Sequence, residues 1–183
     1  MTVRVEIYTG SGVASGTLVR PGPLREALST EEPLRLDDTV WQGLDDPTPR
    51  EAGSMLLAVD DILFALADEE PELRIHASWH HVLLESGPYT LEGELATLPG
   101  FDPGRSLARP SGEFVVLREV RLSLHDRPEA GVAVGDHALV NRYAVERIEA
   151  DLQLGFIFPG AVLVTPSSPT AGLTVVPLSG GAA

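Results

Sequence analysis

The sequence predicts a mainly β protein in which one small five-stranded unit is written twice, and three observations carry that expectation. Short runs alternate apolar and polar residues with period two, turn residues punctuate those runs, and several segments recur in the same order. VEIYTGSGVASGTL (Val5 to Leu18) aligns with VLLESGPYTLEGEL (Val82 to Leu95): at one constant spacing Gly10 falls on Gly87, Gly16 on Gly93 and Leu18 on Leu95. Downstream, PLREALSTEEPLRLDDTVW matches GRSLARPSGEFVVLREVRL after a few inserted residues, which sets Leu28 on Leu107 and Leu36 on Leu117. SMLLAVDDILFAL then has its partner in DHALVNRYAVERI.

Each copy opens with a hairpin. Val3, Val5 and Ile7 alternate with Arg4, Glu6 and Tyr8, and Tyr89, Leu91, Gly93 and Leu95 alternate with Thr90, Glu92 and Glu94, the pattern of strands with one wet face. TGSG in the first copy and SGP in the second supply turn residues, with Gly10 and Gly87 at the joint. Gly16 and Gly93 sit inside the second strand, where a glycine permits the sharp bend that curls a strand around a small barrel. A Pro/Gly-rich connection follows, RPGP or LPGFDPG, and then a strand over Leu34 to Trp41 or Phe114 to Leu124. In the latter, Val120, Leu122 and Leu124 face one way and Glu119, Arg121 and Ser123 the other. Two short strands close each unit: Ser54 to Val59 and Ile62 to Leu66, then His137 to Asn141 and Ala144 to Ile148, jointed at Asp60-Asp61 and Arg142-Tyr143. WQGLDDPTPREAGS, residues 41 to 54, reads as a polar loop, and ADEEPEL, residues 67 to 73, as a linker so short that the two units should touch. The expected divisions are residues 1–70, 74–151 and a C-terminal extension over 152–183.

Composition narrows the function classes. Thirteen basic residues, all Arg, stand against 27 acidic ones for a net charge of −14, which opposes nucleic acid or an anionic membrane as main partner. A hydrophobic share of 43% suits a globular chain rather than a disordered one. Without cysteine there is no disulfide framework, thiolate nucleophile or cysteine metal site. MTVRVEIYTG lacks the charged and then apolar regions of a secretory signal, and no run approaches the roughly 18 apolar residues of a membrane helix. A soluble, cytoplasmic protein is expected.

Five short strands, a bent second strand and a tight joint between the last two resemble the Sm-like family, a small SH3-like barrel, and the chain would then be two such barrels in tandem plus a C-terminal β extension. Gly16-Thr17-Leu18 and Gly93-Glu94-Leu95 match that family's G-x-L on the second strand, and Phe101-Asp102 resembles its aromatic–Asp pair. Leu36-Asp37-Asp38 is similar to the Leu-Thr-Asp-like strand of small, uncharacterised bacterial proteins holding one such unit. The departures bear on function. Neither copy carries the family's Asn after G-x-L, and the positions near Asp60-Asp61 are acidic where its RNA binders use Arg-Gly or Lys-Gly, so RNA recognition is not expected. What the resemblance implies instead is association: Sm-like units pair edge strands into rings, so a homo-oligomer is expected, with three fused chains making a pseudo-hexameric ring.

The tail has its own character. From Leu152 to Ala183 no residue is charged. GFIFPGAVLV places Phe156 and Phe158 beside a Pro-Gly turn and predicts a hairpin that covers a sheet edge or barrel mouth. TPSSPTAG reads as an extended linker. The LTVVPLSGG that follows is expected either to be an ordinary terminal strand or to dock on a partner through Leu173, Val175 and Leu178. It resembles the C-terminal peptides that lead cargo into encapsulin shells, with Val176-Pro177 in place of the usual Gly-Ser.

Catalytic patterns are poor, and an enzyme, a cofactor or a metal site is not expected. His76 and His80 have metal-ligand spacing only on a helix; on a strand they lie about 13 Å apart. Gly10, Gly12 and Gly16 miss the dinucleotide fingerprint by one position, and a strand follows where a helix should. Asp37-Asp38, Asp45-Asp46 and Asp60-Asp61 are adjacent pairs, and adjacent strand residues point to opposite faces. Trp41 and Trp79 read first as packing anchors; a small-ligand or peptide pocket would be lined by Trp79, Tyr89 or Tyr143.

Overall fold

The computed structural model describes residues 3–19, 22–30, 32–68, 78–97, 112–127, 133–150 and 157–164. The chain is mainly β. In order come β1 (Val3–Thr9), β2 (Gly12–Leu18), the one-turn helix α1 (Leu24–Ala27), β3 (Leu34–Gly43), β4 (Arg50–Leu57), a 3-10 turn (Val59–Asp61) and β5 (Ile62–Ala67). The second half contributes β6 (Ser78–Ser86), β7 (Tyr89–Thr97), β8 (Phe114–Leu124), β9 (Ala133–Asn141) and β10 (Arg147–Ala150), and β11 (Val162–Val164) ends the series. All join one 11-stranded sheet in the order β11-β10-β6-β7-β8-β9-β5-β1-β2-β3-β4. Its outermost strands, β4 and β11, have one neighbour each, so the sheet does not close.

Within that sheet the pairing order β5-β1-β2-β3-β4 recurs as β10-β6-β7-β8-β9. The register recurs as well. Leu18 pairs with Leu36 and Leu95 with Leu117. The pairing of β2 with β3 shifts between Ser15 and Thr17, and that of β7 with β8 between Glu92 and Glu94, which puts Gly16 and Gly93 at matching bulges. A Cβ on Gly16 would lie 3.0 Å from the Asp37 carbonyl oxygen, and one on Gly93 would lie 3.0 Å from that of Arg118. Across each bulge a non-glycine residue takes left-handed backbone, Asp38 at φ 50° and Glu119 at φ 53°. Two strands therefore bend at the same point by the same device, a glycine on one and a left-handed residue on the other.

Four details depart from expectation. Residues 41 to 54 are a loop only over 44–49: Val40 pairs with Glu51 and Trp41 with Arg50, so β3 and β4 run on as an antiparallel arm whose ladder needs no apolar pattern. The connection after β2 holds α1, which buries Leu24, Ala27 and Leu28 on one face. In the last two strands Met55 and Ala138 take matching positions, opposite Leu36 and Leu117. The closing strands of the second copy start at Ala133 and Arg147 rather than at His137 and Ala144. Finally, β11 is added in parallel to β10, after a turn at Pro159-Gly160. It covers a sheet edge as expected, but residues 151 to 156, including Phe156, lie outside the described residues, as do Leu107, His76, Phe101-Asp102, and Leu173, Val175 and Leu178.

Two apolar cores flank the central strands. The first is built on β6, β7, β8 and β10 with Ile157 and Phe158, the latter fully buried, and it takes in Tyr8 and Phe64 from the other half. The second is built on β1, β2, α1, β3 and β5, and takes in Phe114, Val116 and Leu139 from β8 and β9. Successive residues of β8 supply them alternately: Phe114 and Val116 go to one core, Val115 and Leu117 to the other. This is why Phe114 to Leu117 are all buried, while the rest of the strand alternates.

Candidate functional site: the outer edges and the seam groove

The seam between the halves is the antiparallel pair β5 and β9, in the register Phe64 with Val140, Ala65 with Leu139 and Leu66 with Ala138. The Asn141 side chain, 7% exposed, donates from Nδ2 to the Ile62 carbonyl at 3.2 Å and fixes one end of the pairing. By position in the repeated order, β9 corresponds to β4 and β5 to β10. The seam is thus a pairing of fourth strand with fifth strand, and, β11 set aside, the repeated order again ends in a fourth strand, β4, and a fifth, β10.

These outer edges differ. β4 is mostly exposed and, among the described residues, has no partner on its outer side; Leu56, which occupies the position of the buried Leu139, is 67% exposed. β10 is covered by β11 through the pairs Arg147 with Val162, Ile148 with Leu163 and Glu149 with Val164. The Val162 amide donates to the Glu146 carbonyl at 2.7 Å.

Beside the seam lies a groove of about 460 Å³, lined by Tyr8, Gln42, Leu44, Tyr89, Leu124 and Arg127 among others. Its floor is aromatic. Tyr8 stacks on Phe64 with centroids 4.4 Å apart, and Tyr89 meets both rings edge-on at 5.6 and 5.2 Å. The Tyr8 hydroxyl donates to the Glu6 carboxylate at 2.9 Å; burial, and then the Glu6 charge, push this phenol far above its ordinary range. Burial alone pushes Tyr89 up to about 12, and its hydroxyl has no hydrogen-bond partner among the described residues.

The three residues singled out for ligand contact do not converge. Tyr89 is a core ring, 3% exposed, paired with Ser86 at one end of the β6–β7 hairpin, whereas Trp79 pairs with Ala96 near the other. Trp79 is half-buried, with the Arg118 guanidinium 3.8 Å above its ring and Arg118 Nε donating to Glu94 at 2.6 Å. Tyr143 is exposed at the β9–β10 turn, beneath the Arg142 guanidinium. Trp41 packs on the second core, as a packing anchor should. Gly87 takes φ +53° as its turn requires, but Gly10 is not left-handed and has open space around its Cβ position.

Two features escaped sequence reasoning. A Cβ on Gly12 would collide with the Gln42 carbonyl oxygen, a close approach signalled only by one more glycine in a glycine-rich hairpin. The left-handed Glu119 had no signal, since glutamate has no preference for that conformation. His80 and His81 bond Thr97 and Glu92 at 2.9 and 3.0 Å, and no cluster of three metal-ligating side chains exists among the described residues. Nor, among them, is any helix long and apolar enough to cross a membrane. No family model matches the chain, and no curated protein or solved structure matches it either.

Proposed function

We propose that the protein is a non-enzymatic assembly module: two fused Sm-like units that self-associate through their outer edge strands, three chains closing a pseudo-hexameric ring. One observation carries this reading. The pairing of β5 with β9 joins a fifth strand to a fourth inside the chain, and the same two kinds of strand end the repeated order, β4 at one edge and β10 at the other beneath the short β11. A chain that already joins two copies by this rule carries the ends needed to repeat it, and a ring removes the edges that an open sheet leaves exposed. The exposed Leu56, at the position where Leu139 is buried by the seam, supports the same reading.

The test is mass against concentration by light scattering. Wild type should rise towards three times the 19.5 kDa chain mass, and Leu56→Lys should stay at one chain, because the lysine is harmless on a free edge and buried in the pairing. A single-chain mass for wild type at every concentration overturns the proposal. A tail-directed adaptor, with LTVVPLSGG delivering the chain to an encapsulin-like shell, is the second reading. The uncharged stretch from Leu152 onward favours it, and it predicts shell co-purification that is lost when residues 170 to 183 are removed.

A further inference from the structure

We infer that β11 is a built-in cap that competes with a second copy of this chain for the outer edge of β10, and so sets the concentration at which the chain assembles. The inference rests on the proposed edge-to-edge association and adds its regulation.

On the inner side, Ile7 pairs with Ala65 and its counterpart Leu84 pairs with Ile148, so Ala65 and Ile148 are equivalent, and with them Phe64 and Arg147, and Leu66 and Glu149. On the outer side of β5, Phe64, Ala65 and Leu66 are the three residues that hold β9. On the outer side of β10, their equivalents Arg147, Ile148 and Glu149 are the three residues that hold β11. Among the described residues the cap therefore covers the three positions that the seam uses. Carrying the seam register across gives the contact between copies: Leu57 of one chain opposite Arg147 of the next, Leu56 opposite Ile148 and Met55 opposite Glu149. A backbone edge holds one strand at a time, so β11 and an incoming β4 exclude each other.

The contest is uneven in a way that suits a reversible cap. β11 has three residues and pairs in parallel, whereas β4 has eight and would pair antiparallel, the geometry of the seam. Against that, β11 is tethered and competes at a high effective concentration, which an untethered second copy matches only when abundant.

Two opposed variants test the cap. Val162→Pro removes the amide that bonds the Glu146 carbonyl and should lower the midpoint concentration of assembly at least about tenfold. Arg147→Cys with Val162→Cys joins two exposed, directly paired positions in a chain that has no other cysteine. Oxidised, it should stay at one chain per particle; reduced, it should recover the wild-type curve. An oxidised form that assembles as well as the reduced form, or a Val162→Pro midpoint equal to that of wild type, overturns the cap while leaving edge association in place. If neither wild type nor Val162→Pro associates at any concentration, while circular dichroism shows both folded, the association itself is overturned. The reversible cross-link keeps the test valid should Val162→Pro fail to fold.

Discussion

Tyr89 packs a phenol into an aromatic cluster and leaves its hydroxyl buried and, among the described residues, unpartnered. Such a group costs about 1–3 kcal/mol, so Tyr89→Phe should raise stability by about 1 kcal/mol in urea unfolding at pH 8. The pH dependence has a definite sign. Below pH 10 the phenol is neutral in both states; above it the unfolded chain ionises first, because the folded group holds its proton up to about 12. Stability present at neutral pH is therefore lost between pH 10 and 12, on the order of 2–3 kcal/mol from Tyr89, and Tyr89→Phe should flatten that fall. Equal slopes for both proteins would contradict it. Glycines separate as sharply. Gly16→Ala and Gly93→Ala each push a methyl against a carbonyl oxygen 3.0 Å away and should lose roughly 1–3 kcal/mol, whereas Gly10→Ala meets open space and should stay within about 0.5 kcal/mol. Sequence revealed Gly16 and Gly93 because each interrupts a period-two strand at the same place. It could not rank Gly10 against Gly12, since that depends on which carbonyl lies across the ladder.

At the scale of the element, the matching bulges make a second prediction. Asp38 and Glu119 are exposed and left-handed, a conformation that costs a non-glycine residue about 1–2 kcal/mol. Glycine relieves this but adds about 0.5–1 kcal/mol of chain entropy, so Glu119→Gly should be neutral or stabilising by up to about 1 kcal/mol. The β-branched Glu119→Val should instead lower the melting temperature; if the two variants melt alike, the bulge does not rely on that backbone. The same scale shows what was legible. Strands with one buried face announced themselves, and Phe114 to Leu124 was read to the residue because its burial alternates after Leu117. The β3–β4 arm did not, because residues 50–54 of β4 are all exposed and carry no apolar alternation, so backbone pairing defines the strand. α1 carries a helical spacing in Leu24, Ala27 and Leu28, but one turn is too short for a period to stand out. For the candidate site, the sequence suggested edge pairing by resemblance, but not which edge stays open, because β11 reaches β10 by parallel pairing that no hairpin pattern encodes.

For the whole molecule, the question is whether the halves unfold separately. Their repeated order suggests two independent units, but the packing opposes it. Phe64 belongs to β5 of the first half, yet it is fully buried in the core of the second, stacked on Tyr8 and edge-on to Tyr89. In return, Phe114, Val116 and Leu139 of the second half lie in the core of the first. Neither half can lose its fold without opening a core in the other, so thermal unfolding should be one transition, with calorimetric and van't Hoff enthalpies in agreement. Phe64→Ala gives the sharper test. It removes a ring from the second core at a cost of roughly 3–5 kcal/mol, although the substitution lies in the first half. Hydrogen exchange should then quicken at Val82, Leu84 and Leu91, buried residues of β6 and β7 that lie outside β5 in sequence but share its core. Faster exchange confined to β1 to β5, with a second calorimetric peak, would mean that the seam joins two folded units by backbone pairing alone. Faster exchange in both halves under a single peak is the outcome that interleaved cores require.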